Sequence, residues 1–471
     1  MRWIDGDYIA GLGWCWLFYT HCLSINHNAK NGKLVPETSS IKSQCGAIEL
    51  DGSENRTGAR TWDATSDLQL SRLNSLLAAV SRRPFYQQLY SEVIPHLSSL
   101  DQLIELPILE KSDLITAGLC APGKQFDLPR GAYTRFHQTS GTKGFPMVVL
   151  DTADDWQWWL HCWDHVLDAA AVTSADVAMM AFSFGPFIGF WTANDALVKR
   201  GALVVPGGGL SSENRLRLIE EQGCTVLCCT PTYALHLISV AEEAGVSLSE
   251  SSITRVIVAG EPGGSIESVR RRIEVGWGAR VIDHCGASEV GAWGFGDREG
   301  KGVHVIETEF IAEVLKIDQD NPRGIPVADG TSGELVLTSL GRLGGPVIRY
   351  RTGDVVQAYR THALDCPFLW LKGGVIGRSD DMLVIRGVNV FPSSIEAIIR
   401  ETLAYAEFRM IATRVDEMDQ LRIEVEGEEE AVNKLAQRFR DRLSLRIDVK
   451  GVPNGTLPRF EAKARRLVDQ R

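Results

Sequence analysis

At 471 residues the chain exceeds what one hydrophobic core normally serves, so two or three domains are expected. Its 44% hydrophobic and 23% charged residues are the composition of a soluble globular protein, and a formal net charge of -11 argues against nucleic acid as a partner. Ten cysteines include no C-x-x-C pair, which excludes a zinc ribbon or a redox motif and points to reduced thiols in the cytoplasm.

The apolar run from Ile9 to Leu23 has the length of a signal-peptide core, but "MRWIDGDY" before it is net acidic and no small-residue cleavage site follows. It is too short to span a membrane. Residues 24–62 are polar and without period, so 1–62 are expected to form a disordered extension.

Helical spacing runs from Ser66 to Tyr90, and "LPILEKSDL" turns into a further helix. In "DTADDWQWWLHCWDHVLDAAAV" the apolar positions Trp156, Trp159, Trp163, Val166 and Leu167 share one helical face, a core stripe. His161 and His165 lie on the same helix at i, i+4, but no further ligand sits at a telling distance. Short apolar strands then alternate with helices: "VAMMAF", "ALVVP", "TVLCCT", "RVIVAG" and "RVIDHCG" are separated by "NRLRLIEEQG", "YALHLISVAEEAG" and "SVRRRIEVG". That alternation predicts βαβ units and a parallel sheet covered by helices. Beyond residue 303, "FIAEVLKI", "GELVLTSL" and "PVIRYRTGDVVQAY" predict an antiparallel β-rich subdomain. The final ninety or so residues read as a small α+β domain: a strand, a helix, two strands, a helix and a basic tail.

The chemistry concentrates in loops. "HQTSGTKGFP" sets Thr139, Ser140, Gly141, Thr142, Lys143 and Gly144 in one loop, where converging backbone N–H groups, hydroxyls and an ammonium can cradle a phosphate. "VAGEPGG" and "DHCGASEVG" each follow a predicted strand, and α/β sheets hold ligands at those carboxyl ends. Glu289 can hold a hard cation, with a solvated surface glutamate as the ordinary alternative. Asp354 in "YRTGD" can accept ribose hydroxyls or simply stabilise its turn. No G-x-S-x-G elbow is present, and "GGVIG" lacks full dinucleotide-loop spacing.

Taken in order, "TSGTKGFP", "AGEP", "HCGASE", "GELVLT", "YRTGD", "GRSDDMLVIRG" and "LPRFEAKARR" resemble the motif set of the adenylate-forming superfamily, most closely the phenylacetate–CoA ligase family. The resemblance covers roughly Leu70 to Arg471. It implies a large multi-sheet α/β domain (63–377) that binds ATP and acid, and a small mobile α+β lid (378–471). It also implies a ligase that adenylates a small carboxylic acid with ATP and Mg2+, then passes the acyl group to CoA or to an acyl-carrier protein or amine. A silent nucleotide-binding homologue is the alternative from another class, and a monomer or homodimer is expected.

Carried over residue by residue, the resemblance gives Thr139, Ser140, Gly141, Thr142 and Gly144 the β- and γ-phosphates. Gly260, Glu261 and Pro262 would line the adenine, Ser288 and Glu289 would hold the α-phosphate and Mg2+, Asp354 would take the ribose, and Arg378 would lie near it. Asp380 would be the hinge and Lys463 the lysine that enters for adenylation. "AFSFGPFIGFW" sits where the family has its acid pocket, and Phe184, Gly185, Phe187 and Phe190 suit an aryl or arylacetic acid, although the aromatics can equally be core. Lys143, Cys285 and Ala462 depart from the family pattern, standing for a hydroxyl residue, an aromatic and a glycine.

Overall fold

Four-residue apolar runs separated by helices need burial on both faces, which a helix-covered parallel sheet supplies. The computed structural model describes residues 62–471 apart from 91–95, 117–120, 140–145, 183–184, 190, 361–365, 380, 386–387, 404, 416–417, 444 and 461–465. The expected extension 1–62 therefore lies outside the described residues, apart from Trp62 itself.

The chain enters through α1 (Trp62–Val80), α2 (Pro84–Tyr90) and the one-turn α3 (Lys111–Leu114). A hairpin follows, β1 (Tyr133–Gln138) and β2 (Val148–Thr152), then α4 (Ala153–Ala169), started by a capping box between Thr152 and Asp155. The alternating region comprises β3 (Val177–Met180), α5 (Trp191–Arg200), β4 (Leu203–Pro206), α6 (Ser212–Glu221), β5 (Val226–Cys229), α7 (Pro231–Glu243), β6 (Arg255–Val258), α8 (Glu267–Trp277) and β7 (Arg280–Ala287). These strands pair in parallel in the order β4-β3-β5-β6-β7.

The direction then changes. The β-rich part comprises β8 (Gly291–Gly296), β9 (Gly302–Val305), β10 (Phe310–Lys316), β11 (Ile325–Pro326), β12 (Ser332–Ser339), β13 (Tyr350–Tyr359), β14 (Trp370–Lys372) and β15 (Gly377–Arg378). Its strands are antiparallel as expected, and they join the parallel sheet through the β7–β8 pair, where Ala287 faces Gly291. Only Ser288, Glu289 and Val290 make that reversal.

The last part holds β16 (Leu383–Ile385), β17 (Val388–Val390), α9 (Pro392–Thr402), β18 (Phe408–Val415), β19 (Met418–Glu426), α10 (Glu429–Leu443), β20 (Asp448–Val452) and β21 (Leu467–Asp469). Four of its strands form a sheet in the order β20-β19-β18-β21, with a separate core around Ile395, Ile399, Phe408, Ile423 and Phe439. The stretch read from sequence as a basic tail thus contributes two strands, each parallel to its neighbour. At five and three residues both are too short for alternation to mark them; the neighbouring backbone defines them.

The predicted stripe of α4 is buried, but so are Trp158, Leu160, Cys162, Asp164 and His165. Its second face is enclosed because each polar group there has a partner: Trp158 Nε1 donates to Glu309 Oε2 at 2.6 Å, and Arg200 Nη2 lies 3.1 Å from Asp164 Oδ1. His161 Nε2 lies 3.5 Å from Glu309 Oε1.

A buried ion pair joins the hairpin to the rest of the large domain. Arg342 and Asp151 have no exposed side-chain surface, and Arg342 Nη2 and Nε lie 2.7 and 2.8 Å from Asp151 Oδ1. Trp159 Nε1 donates to the same oxygen at 3.1 Å, and the guanidinium sits over the rings of Trp159 and Phe126. Removing one member strands the other charge. Arg342→Met is expected to cost about 3–5 kcal/mol in denaturant unfolding, and Arg342→Met combined with Asp151→Leu to recover most of that loss.

Candidate active site

The β7–β8 reversal sets Ser288 and Glu289 at the carboxyl end of the last parallel strand. Glu289 is only 6% exposed, yet it is not left bare. Lys111 Nζ lies 2.5 Å from Glu289 Oε1, and the buried Tyr350 hydroxyl hydrogen-bonds the same carboxylate. Burial first, and then the Glu289 charge, pushes the Tyr350 hydroxyl well above its ordinary pKa, so it stays a donor. Ser288 is fixed through its backbone, since Arg342 Nη1 donates to its carbonyl at 2.8 Å.

Lys111 was not singled out by its sequence, where a lone lysine in a one-turn helix carries no signal. The backbone places it. Leu109 N donates to Arg349 O and Arg351 N to Leu109 O, both at 2.9 Å, which bridges this segment to Tyr350. Glu110 and Asp113 then cap the single turn.

Asp354 and Arg378 face each other across the β13–β15 pair. Arg378 Nη1 lies 3.1 Å from Asp354 Oδ1 and donates to Thr352 O at 2.8 Å. Gly353 lies within β13 at φ +76°, a backbone conformation that favours glycine. The carboxylate is oriented before any ligand arrives.

Thr139 closes the neck of the segment expected to cradle phosphate. Its N donates to Met147 O at 3.0 Å, and its hydroxyl accepts from Met147 N at 3.1 Å. Ser140, Gly141, Thr142, Lys143 and Gly144 lie outside the described residues. Gln138 N donates to Pro186 O at 2.7 Å, which brings the expected acid-pocket segment beside this hairpin. Gly185 O accepts from Trp191 Nε1 at 3.0 Å, and Phe187 is 45% exposed, which removes the core reading for that aromatic. Phe184 and Phe190 lie outside the described residues, as do Asp380 and Lys463.

Gly260 and Pro262 stand exposed after β6, with Gly260 at φ +93°. Glu261 between them turns toward α7, where its Oε1 accepts from Thr232 N at 2.8 Å, so its side chain caps a helix and only the neighbouring backbone is offered to a ligand.

Asp283, His284 and Cys285 approach this site along β7. Burial pushes the Cys285 thiol well above its usual pKa, with Asp283 and Asp354 adding to it, so the thiol stays neutral. Burial lowers His284 to about 4, and its Nδ1 lies 2.8 Å from Gly294 O. Burial also pushes Asp283 up to about 6 against the Ser265 hydroxyl, which donates to it at 2.7 Å.

Residues 136–343 match the model of the AMP-binding enzyme family, and residues 387–471 match that of the AMP-binding enzyme C-terminal domain. The phenylacetate–coenzyme A ligase of Thermus thermophilus is 32% identical over 441 residues, covering 86% of this chain and 96% of that protein. That of Escherichia coli is 31% identical over 430 residues, with 87% and 95% covered. Among solved structures, a 2-hydroxyisobutyryl-CoA ligase in its postadenylation state, in complex with R3-HIB-AMP, superposes with a TM-score of 0.81 at 25% identity, covering 90% of this chain and 94% of that one.

The raised carboxyl of Asp283 has a consequence for stability. Folded, it keeps its proton between about pH 4, the unfolded value, and about 6. Its stabilising contribution is full below that window and lost as pH rises through about 6. His284 acts oppositely and cancels when wild type is compared with Asp283→Asn. In chemical denaturation across pH, wild type is expected to lose about 3 kcal/mol relative to Asp283→Asn between pH 4 and 7.

Proposed function

Because the chain belongs to the phenylacetate–coenzyme A ligase family of AMP-binding enzymes, we propose that it is an AMP-forming acyl–CoA ligase whose acid is aryl or arylacetic. The observation that carries this reading is the convergence of Glu289, Lys111, Tyr350, Asp354 and Arg378 beyond the end of β7.

In the first step a carboxylate oxygen of the acid attacks the α-phosphorus of ATP, the bond to the β-phosphate breaks, and pyrophosphate leaves. In the second, the CoA sulfur attacks the acyl carbon, the bond to AMP breaks, and the thiol proton passes to solvent. Ser140, Gly141, Thr142 and Gly144 would hold the departing phosphates above the neck closed by Thr139. Gly260 and Pro262 would meet the adenine through backbone, Asp354 would accept the ribose hydroxyls, and Arg378 would keep that carboxylate turned toward them. Ser288 would donate to the α-phosphate, and Lys463 would stabilise the charge that grows on the bridging oxygens. Gly185 and Phe187 would line the acid. Domain rotation about Asp380, with the boundary at 377/378, would let CoA follow the lysine into the same cleft.

Among the described residues no three His, Cys, Asp or Glu side chains converge as a metal site. A Mg2+ beside nucleotide phosphates needs only one protein carboxylate, taking its other oxygens from phosphate and water, and the single buried Glu289 fits that demand. When bound, the ion would neutralise phosphoryl charge; until then Lys111 balances Glu289. Cys162, Cys224, Cys228, Cys229 and Cys285 are free thiols, which suits the cytoplasm, and among the described residues no helix is long and apolar enough to cross a membrane.

Acid-dependent release of AMP and pyrophosphate from Mg-ATP, measured across aryl, arylacetic and fatty acids with and without CoA, tests this. Turnover is expected to need both an acid and CoA, with Lys463→Ala about 10²–10³-fold slower. Turnover without CoA would instead indicate a carrier-protein or amine acceptor, and no turnover with intact ATP binding would indicate a silent homologue.

A further inference from the structure

Arg466 is 5% exposed although it stands six residues from the last position of the chain, counting itself. Its guanidinium is clamped by acids of its own domain: Nε and Nη2 each lie 3.2 Å from a Glu407 oxygen, and Nη1 lies 3.2 Å from Glu396 Oε1. It packs on the rings of Phe408 and Phe460 at 4.9 and 5.5 Å, and Met410 N donates to its carbonyl at 2.7 Å. Arg400 stacks on the same Phe408 ring at 5.1 Å and shares Glu396.

These contacts would suffice to satisfy the side chain within the small domain, yet one more leaves it. Nη1 lies 3.4 Å from Thr232 Oγ1 in the first turn of α7. The same turn is capped by Glu261, whose charge interacts with Arg466, so the guanidinium is coupled to the Gly260–Pro262 loop as well. Other contacts across this boundary include the packing of α9 on α8, the Phe391 ring against Gly377, Ser268 Oγ to Ala397 O at 3.4 Å, and a hydrogen bond between Tyr405 and Glu242. Domains joined in one chain commonly move relative to one another, so a buried cation that bridges two of them bears on their orientation.

We propose that Arg466 is a positioning residue for the adenylation half-reaction, bridging Glu396 and Glu407 of the small domain to Thr232 and Glu261 of the large one. Arg466 stands three residues after Lys463, and its contacts hold the chain at that point against the start of α7. The CoA-dependent step, for which the small domain must swing, does not need the bridge. This role rests on the two-step ligase reading above.

The test separates the half-reactions. Acid-dependent exchange of labelled pyrophosphate into ATP reads adenylation, and CoA-thioester formation from supplied acyl-adenylate reads the second step, with phenylacetate as the first acid and phenylacetyl-adenylate as the supplied intermediate. Arg466→Met is expected to slow exchange by about 10²-fold while thioester formation keeps its wild-type rate. Arg466→Lys, which retains the charge without the planar fork, is expected to recover part of the loss. Thr232→Val cuts the crossing contact without touching the clamp, and is expected to slow exchange in the same selective way with an unchanged thermal midpoint. Equal slowing of both half-reactions, or no slowing of exchange in Arg466→Met and Thr232→Val, would overturn the proposal. Absence of exchange in wild type with every aryl and fatty acid would remove the ligase reading itself, and the positioning role with it.

Discussion

The large domain is organised around a guanidinium that never meets water. Arg342 holds Asp151 at the end of the β1–β2 hairpin and the carbonyl of Ser288 in the β7–β8 reversal. One planar group therefore sets the distance between the β1–β2 hairpin and the reversal that bears Glu289. Arginine suits this because five donors in a rigid fork can serve two directions at once, and stacking on Trp159 and Phe126 offsets part of its desolvation. A lysine would serve one direction only.

The second constraint is the change of strand direction after β7. Parallel strands deliver ligand-binding loops to one end of a sheet, and antiparallel strands do not. By reversing within three residues, the chain leaves Ser288 and Glu289 at the carboxyl end while β13, which carries Tyr350 and Asp354, returns from the antiparallel side to face them. The site is thus assembled from both halves of one continuous sheet.

The alternation between residues 177 and 287 was legible because a strand buried on both faces must be apolar throughout, and such runs stand out between amphipathic helices. Ser288 and Glu289 were legible for a related reason, since each follows a strand whose end is marked. Lys111, Arg342 and Arg466 were not. Their meaning lies in partners 178, 191 and 59 residues away, and nothing in the local sequence of a lone cation reports such a partner. Strands β20 and β21 escaped because their pairing, rather than their composition, defines them. Phe187 could be judged core or pocket only when its exposure was seen.

That β21 lies in the sheet changes the kind of object the preceding segment is. Leu457 N and Arg459 are tied to Glu426 on one side, and Arg466 and β21 are tied to β18 on the other. The chain is thus anchored at Arg459, four residues before Lys463, and at Arg466, three residues after it. A free tail would have to search a volume set by its length, whereas a stretch pinned on both sides searches far less. If Lys463 has the proposed adenylation role, such anchorage would raise its effective concentration at the cleft.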